Sequence, residues 1–247
     1  MMHITKSGME QRTIPLPPIE IQRQIVAEIE GYQKIIDGAR QVVENWKPQI
    51  EIDPDWEMVK LGDVCEINPK KAEINTLDKN TLVSFMPMED IGFELYLTPK
   101  KEKQIQEVFK GYTYFREKDV LVAKVTPCFE NGKSGIAKNL TNQIGFGSSE
   151  LHVIRPQKKL LSEFVYPFVT SEKFRNAGKT IMTGTGGLQR VPAFYIENLE
   201  IPLPSLEVQK EIVSKIETER KAVDSFRELI KTYEEKIKRE IDKVWEE

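Results

Sequence analysis

Residues 14–30 read IPLPPIEIQRQIVAEIE, and residues 201–217 read IPLPSLEVQKEIVSKIE. At an offset of 187 residues, ten of the 17 aligned positions are identical. Lys34/Lys221, Asp37/Asp224 and Arg40/Arg227 extend the match. Solenoid repeats stack contiguously, whereas these copies lie on either side of a stretch long enough to fold alone. They read as duplicated connectors flanking an inserted domain.

Each copy carries the same local logic. Ile-Pro-Leu-Pro lacks two backbone donors and has restricted φ, so it is extended and cannot lie inside a helix. A helix start follows, with Ser205 as N-cap in the second copy and Pro18 as a first-turn residue in the first. Apolar residues then recur at spacings of three and four: Ile21, Ile25, Ile29, Tyr32, Ile36, Ala39, Val43 and Trp46 in one copy. In the other they are Ile212, Ile216, Val223, Phe226, Ile230, Tyr233, Ile237, Ile241 and Val244. Such stripes define helices of roughly 40 and 60 Å that each need a partner along one seam. A domain between them makes the chain leave along one helix and return along the other, so the pair is antiparallel. Gly31 and Gly38 mark close approach or weak spots costing about 1 kcal/mol each. The fold class is α+β: one mixed α/β globule inserted between two long helices that pair as an antiparallel coiled coil. Its boundaries are a tail at 1–13, a first helical region at 14–50, the globule at 51–200 and a second helical region at 201–247.

Within the globule, β-rich runs cover Val59 to Ile67, Thr81 to Met86, Asp119 to Thr126 and Leu151 to Ile154. Turn chemistry separates them at Asn68-Pro69, Asn131-Gly132 and Gly145-Phe-Gly147. Residues 160–177 read as one helix, bent or broken at Pro167 and ended by Gly178.

Strings suggestive of catalysis fail on context. Gly132-Lys133-Ser134 ends like a phosphate-binding loop, but Pro127 stands where its first glycine belongs. Gly184-Thr185-Gly186-Gly187 lacks the strand-before, helix-after setting of a dinucleotide fingerprint. Pro127-Cys128 matches the nucleophile dipeptide of cytosine methyltransferases, but the chain has no doubly wound domain for a methyl donor. His152 on a strand reads as structural. With two histidines, His3 and His152, far apart, a His/Cys metal site would lack ligands, and Cys65 with Cys128 makes no disulfide framework. The reading is therefore no catalytic residue, no metal and no cofactor. No apolar run approaches the roughly 18–20 residues of a membrane span, and residues 1–8 lack a signal core, which points to the cytoplasm.

The charge is segregated. The 247 residues carry a formal net charge of -3, with 39% hydrophobic and 30% charged residues. That balance excludes a uniformly basic nucleic-acid binder. Residues 98–191, however, hold 16 Lys/Arg against 8 Asp/Glu, while residues 1–97 and 192–247 are acidic. Three glycine- and polar-rich loops fall in this basic segment: Lys124 to Ile136, Gly145 to Glu150, and Thr183 to Arg190. Lys124, Lys133 and Lys138 suit phosphates, while Asn131, Gln189 and Arg190 are of the types that read base edges. Thr126, Ser134, Ser148, Ser149, Thr183 and Thr185 suit phosphate or water-mediated contacts.

Trp56-x-x-Val-Lys-Leu-Gly-Asp-Val64, Lys124-Val-Thr-Pro-Cys-Phe-Glu-Asn-Gly-Lys133, Gly145-Phe-Gly-Ser-Ser-Glu150, Gly186-Gly-Leu-Gln-Arg-Val191 and the duplicated Ile-Pro-Leu-Pro unit resemble the specificity subunit of type I restriction–modification systems. The resemblance implies a target-recognition domain reading one half of a split double-stranded DNA target. It also implies helices that set the half-site spacing and dock methyltransferase subunits, and through them restriction subunits. Catalysis resides in those other polypeptides. The chain departs from the pattern in having two helical regions but one recognition domain. Residues 6–12 (KSGMEQR) resemble the tail of a missing first domain, and two copies pairing on a palindromic split target would restore the usual number. A helical scaffold whose globule has lost DNA binding is the competing reading.

Overall fold

A computed structural model describes residues 15–185 and 187–246. They form two compact units, residues 15–48 with 216–246, and residues 49–215. The expected tail at 1–13 and Ile14 lie outside the described residues.

In the first unit, α1 (Ile19–Asn45) packs along the last helix, α7 (Leu206–Glu246). Pro18 stands at the N-cap position, just outside the helix. The helices run antiparallel: Trp46 Nε1 donates to Glu219 Oε2 (3.1 Å), Arg40 pairs with Glu234 (2.6 Å), and Tyr32 meets Tyr233 with ring centroids 5.4 Å apart. Lys236 lies over both tyrosine rings. Ile36, Ala39, Ile216 and Val223 are buried along the seam. Ile25, Ile29, Val43, Phe226, Ile230, Tyr233 and Ile237 are half-buried.

Three expected seam positions are corrected. Ile21 is 41% exposed because the heptad step falls on Gln22, whose side chain turns back to the Pro17 carbonyl (2.7 Å). Ile241 is exposed because the seven-residue repeat from Ile216 passes through Ile237 and Val244. Ile212 packs against the core of the globular unit. Gly31 and Gly38 have open space where a Cβ would stand, so they are weak spots and not close approaches.

The globular unit holds three sheets. Its elements are β1 (Met58–Lys60), α2 (Leu61–Val64), β2 (Cys65–Ile67), β3 (Leu82–Met86), β4 (Tyr96–Leu97), β5 (Lys101–Gln104), α3 (Ile105–Val108), β6 (Thr113–Arg116), β7 (Val120–Ala123), β8 (Ser134–Ala137), β9 (Ile144–Gly147), β10 (Leu151–Pro156), α4 (Ser162–Thr170), α5 (Glu172–Thr180), α6 (Ala193–Glu197) and β11 (Glu200–Pro202). The strand orders are β2-β10-β7-β8-β4, β5-β3-β9-β6, and the pair β1-β11. The pairs β3·β9 and β4·β8 are parallel, and the rest antiparallel. The main core gathers Val120, Val122, Ile136 and Ile154 of the five-stranded sheet with Phe164, Val165 and Val169 of α4.

Local expectations fail where packing overrides composition. The run Val59 to Ile67 is two short strands split by the α2 turn. Gly145-Phe-Gly147 is not a turn but part of buried β9, and a Cβ on Gly145 would collide with the Phe115 ring. The helix break comes at Ser171, whose hydroxyl accepts from Phe174 N–H (3.1 Å) and caps α5, while Pro167 is accommodated inside α4. Gly178 lies within α5, where a Cβ would press on Phe129 (2.5 Å). Burial pushes the Cys65 thiol up to about 12, so it behaves as a packed apolar group.

Candidate nucleic-acid interface

Strand register places the basic loops. Leu151 pairs with Ala123, and Val122 pairs with Ser134. The segments after β7, before β8 and before β10 therefore emerge at one end of the five-stranded sheet. Ser148 joins them through its N–H to the Met86 carbonyl (3.2 Å). Lys124 N–H donates to Glu150 O, and Val191 N–H donates to Lys124 O, both at 2.9 Å.

The Thr183–Arg190 loop is fastened to the same end. Thr183 and Arg190 exchange both backbone bonds (3.0 and 2.8 Å), and Arg190 also bridges Val125. Thr126 donates from its N–H (2.9 Å) and its hydroxyl (3.2 Å) to Gln189 O. The Arg190 guanidinium takes both oxygens of Glu150 at 2.8 and 2.7 Å. That partner holds the Glu150 carboxyl below its ordinary range, so it is ionised. Lys124 is half-buried, and desolvation lowers its pKa, aided by Arg190 and opposed by Glu150.

His152 supports the arrangement from below. It is buried, its Nε2 lies 2.9 Å from Val191 O, and Asn68 Nδ2 lies 3.1 Å from its Nδ1. Asn68 Nδ2 can only donate, so Nδ1 accepts and the proton sits on Nε2. Burial lowers the ring's pKa, more than the Val191 carbonyl raises it, and Lys124 adds to the lowering. The ring is therefore held neutral.

The structure thus gathers Lys124, Thr126, Ser148, Ser149, Thr183, Thr185, Gln189 and Arg190, with Thr183, Thr185, Gln189 and Ser149 exposed. Asn131 is exposed on the turn that follows Thr126, and Lys133 Nζ donates to Met88 O (3.0 Å). Two expected residues do not fit. Ser134 is buried and gives its hydroxyl to Gly132 O (2.9 Å), which removes it from the surface. Lys138 follows β8 at the opposite end of the sheet, with its ammonium 3.8 Å from the centre of the Tyr96 ring. Residue type does not single out Glu150; its signal in the sequence is a carboxylate that directly precedes a β-strand between polar loops of a basic segment. Among the described residues, no group of three or more His, Cys, Asp or Glu side chains is arranged to hold a metal ion. No described helix is long and apolar enough to cross a membrane.

Residues 54–239 match the family described as "Type I restriction modification DNA specificity domain". The chain belongs to this specificity family. It is 37% identical over 204 residues to the EcoAI specificity subunit of Escherichia coli, covering 80% of this chain and 34% of that one. The EcoEI specificity subunit of the same organism is 36% identical with the same coverage. The chain therefore spans about a third of the length of these relatives. Its fold is that of the solved HsdS subunit from Thermoanaerobacter tengcongensis, with a TM-score of 0.51 at 22% identity, over 97% of this chain and 62% of that one. Both E. coli relatives are named specificity subunits.

Proposed function

We propose that this specificity-family chain reads one half of a split double-stranded DNA target for a type I restriction–modification complex. The observation that carries this reading is the convergence of three polar, glycine-containing loops at one end of the five-stranded sheet, inside the only basic segment of the sequence. Lys124 and the hydroxyl side chains contact phosphates, and Asn131, Gln189 and Arg190 contact bases. The paired helices α1 and α7 set the spacing between half-sites and dock methyltransferase subunits, and through them restriction subunits. Two copies of the chain pair to present two recognition domains on a palindromic split target. The chain performs no catalysis of its own.

The test is binding of labelled duplex by the chain assembled with its methyltransferase partner, followed across salt. Each phosphate neutralised steepens the dependence of log K on log salt by about 0.9, so Lys124→Ala is expected to weaken binding and flatten the slope by about one contact. If Lys124→Glu and Arg190→Glu leave both binding and modification intact, the globule is a scaffold. Light scattering that shows a strict monomer at all concentrations, alone and with the partner, overturns the pairing.

A further inference from the structure

Three hydrogen bonds hold the Arg190 side chain. Nε and Nη2 donate to Glu150 Oε2 and Oε1 at 2.8 and 2.7 Å, and Nη1 donates to Leu188 O at 3.2 Å. A guanidinium has five N–H donors in a rigid fork, and these three bonds use one on each nitrogen. One donor therefore remains on each of the two terminal nitrogens. Guanine offers a matching pair of acceptors, O6 and N7, on its major-groove edge. Adenine presents N7 beside a donating amino group, and cytosine presents a donor, so neither satisfies both hydrogens.

The surroundings suit this role. The Arg190 side chain is 42% exposed and that of Glu150 27%, so the fork is reachable while its holder is partly shielded. The Arg190 backbone is paired with Thr183 and Val125, which fixes the root of the side chain. A carboxylate repels phosphate, and its presence among DNA-facing loops calls for a reason. Orienting the arginine supplies one, because a side chain held in place before binding loses less rotamer freedom on binding.

We infer that Arg190 reads a guanine in the major groove and that Glu150 is its positioning residue. The assignment rests on the DNA-reading function proposed above. Its test uses the chain assembled with its methyltransferase partner and the target identified by methylome sequencing. Each guanine of the half-site is replaced in turn by 7-deazaguanine, which keeps O6 and base pairing but lacks N7. One position is expected to lower wild-type affinity about tenfold, within the range for a bidentate contact. Arg190→Met keeps the length of the stem but has no donor, and is expected to bind more weakly with no sensitivity at that position. Glu150→Gln is expected to retain binding with a reduced penalty there, and Glu150→Asp to restore part of it.

A bound duplex with no sensitive guanine, a half-site without guanine, or sensitivity unchanged in Arg190→Met overturns the assignment while leaving DNA reading intact. Variants that lower the melting temperature but keep the wild-type 7-deazaguanine profile show a structural ion pair and overturn it equally. Failure of the wild-type complex to bind its target overturns the DNA reading itself, and this assignment with it.

Discussion

The two copies of the Ile-Pro-Leu-Pro unit share sequence but differ in burial. In the second copy, Ile201 and Pro202 form β11 against β1, and Gln209 is fully buried. The Gln209 amide accepts from Leu161 N–H and donates to the carbonyls of Lys159 and Pro204, at 2.9–3.0 Å. In the first copy, the aligned Gln22 makes the matching bond to Pro17 O (2.7 Å), but Leu16 is 80% and Ile19 52% exposed. The glutamine-to-proline clasp is thus encoded in the unit itself and forms in either setting. The globule adds the strand pairing, the bonds from residues 159 and 161, and the core that buries Ile201. Further along, the copies converge again, since the aligned pair Ile36 and Val223 are both buried in the helix seam.

This contrast can be broken or sharpened by substitution. Ile201→Ala removes a fully buried side chain and is expected to cost about 2–5 kcal/mol, whereas Leu16→Ala should stay within about 0.5 kcal/mol. Denaturant melts measure both, and equal costs would erase the distinction. Gln209→Ala orphans buried backbone groups of residues 159, 161 and 204, for an expected loss of about 1–3 kcal/mol. Gln22→Ala loses one partly exposed bond, an expected loss of about 0.5–1 kcal/mol.

Acid separates the two regions through a single ring. His152 is held neutral in the fold and takes a proton near its ordinary 6.5 when unfolded, so the unfolded state binds more protons below that pH. Stability from this ring is complete above pH 6.5 and falls as pH drops, by at most about 1.4 kcal/mol per unit. The described parts of the helix pair contain no histidine. Amide protection factors, which correct exchange for its intrinsic slowing in acid, should therefore fall around Val191 and Asn68 between pH 6.5 and 5 while those of the α1–α7 seam are unchanged. His152→Gln should remove the difference.

Much of this was legible because helix periodicity is a local signal. The repeat and the long helices follow from spacing, their antiparallel pairing from the domain between them, and the N-cap at Ser205 forms with Val208 N–H (3.4 Å). Ile21 and Ile241 fall outside the seam because several apolar residues compete for one seven-residue register. The globule was less legible because its contacts are distant in sequence. Gly145 and Gly147 look like turn residues, yet they are glycines because Phe115 and the Met86 carbonyl crowd the strand. The candidate site shows the same division. Residue types marked the three loops, but only the sheet register could join Lys124 to Glu150, exclude Lys138 and turn Ser134 inward. The Arg190–Glu150 pair spans 40 residues of sequence and leaves no local pattern.

The most direct test of DNA reading by the loop cluster is methylome sequencing of cells that carry the chain with its methyltransferase partner. Wild type is expected to direct methylation to one split motif, and Lys124→Glu with Arg190→Glu to abolish or alter that motif while the subunits still assemble. Unchanged methylation at the same motif in the charge-reversed chain would contradict the account.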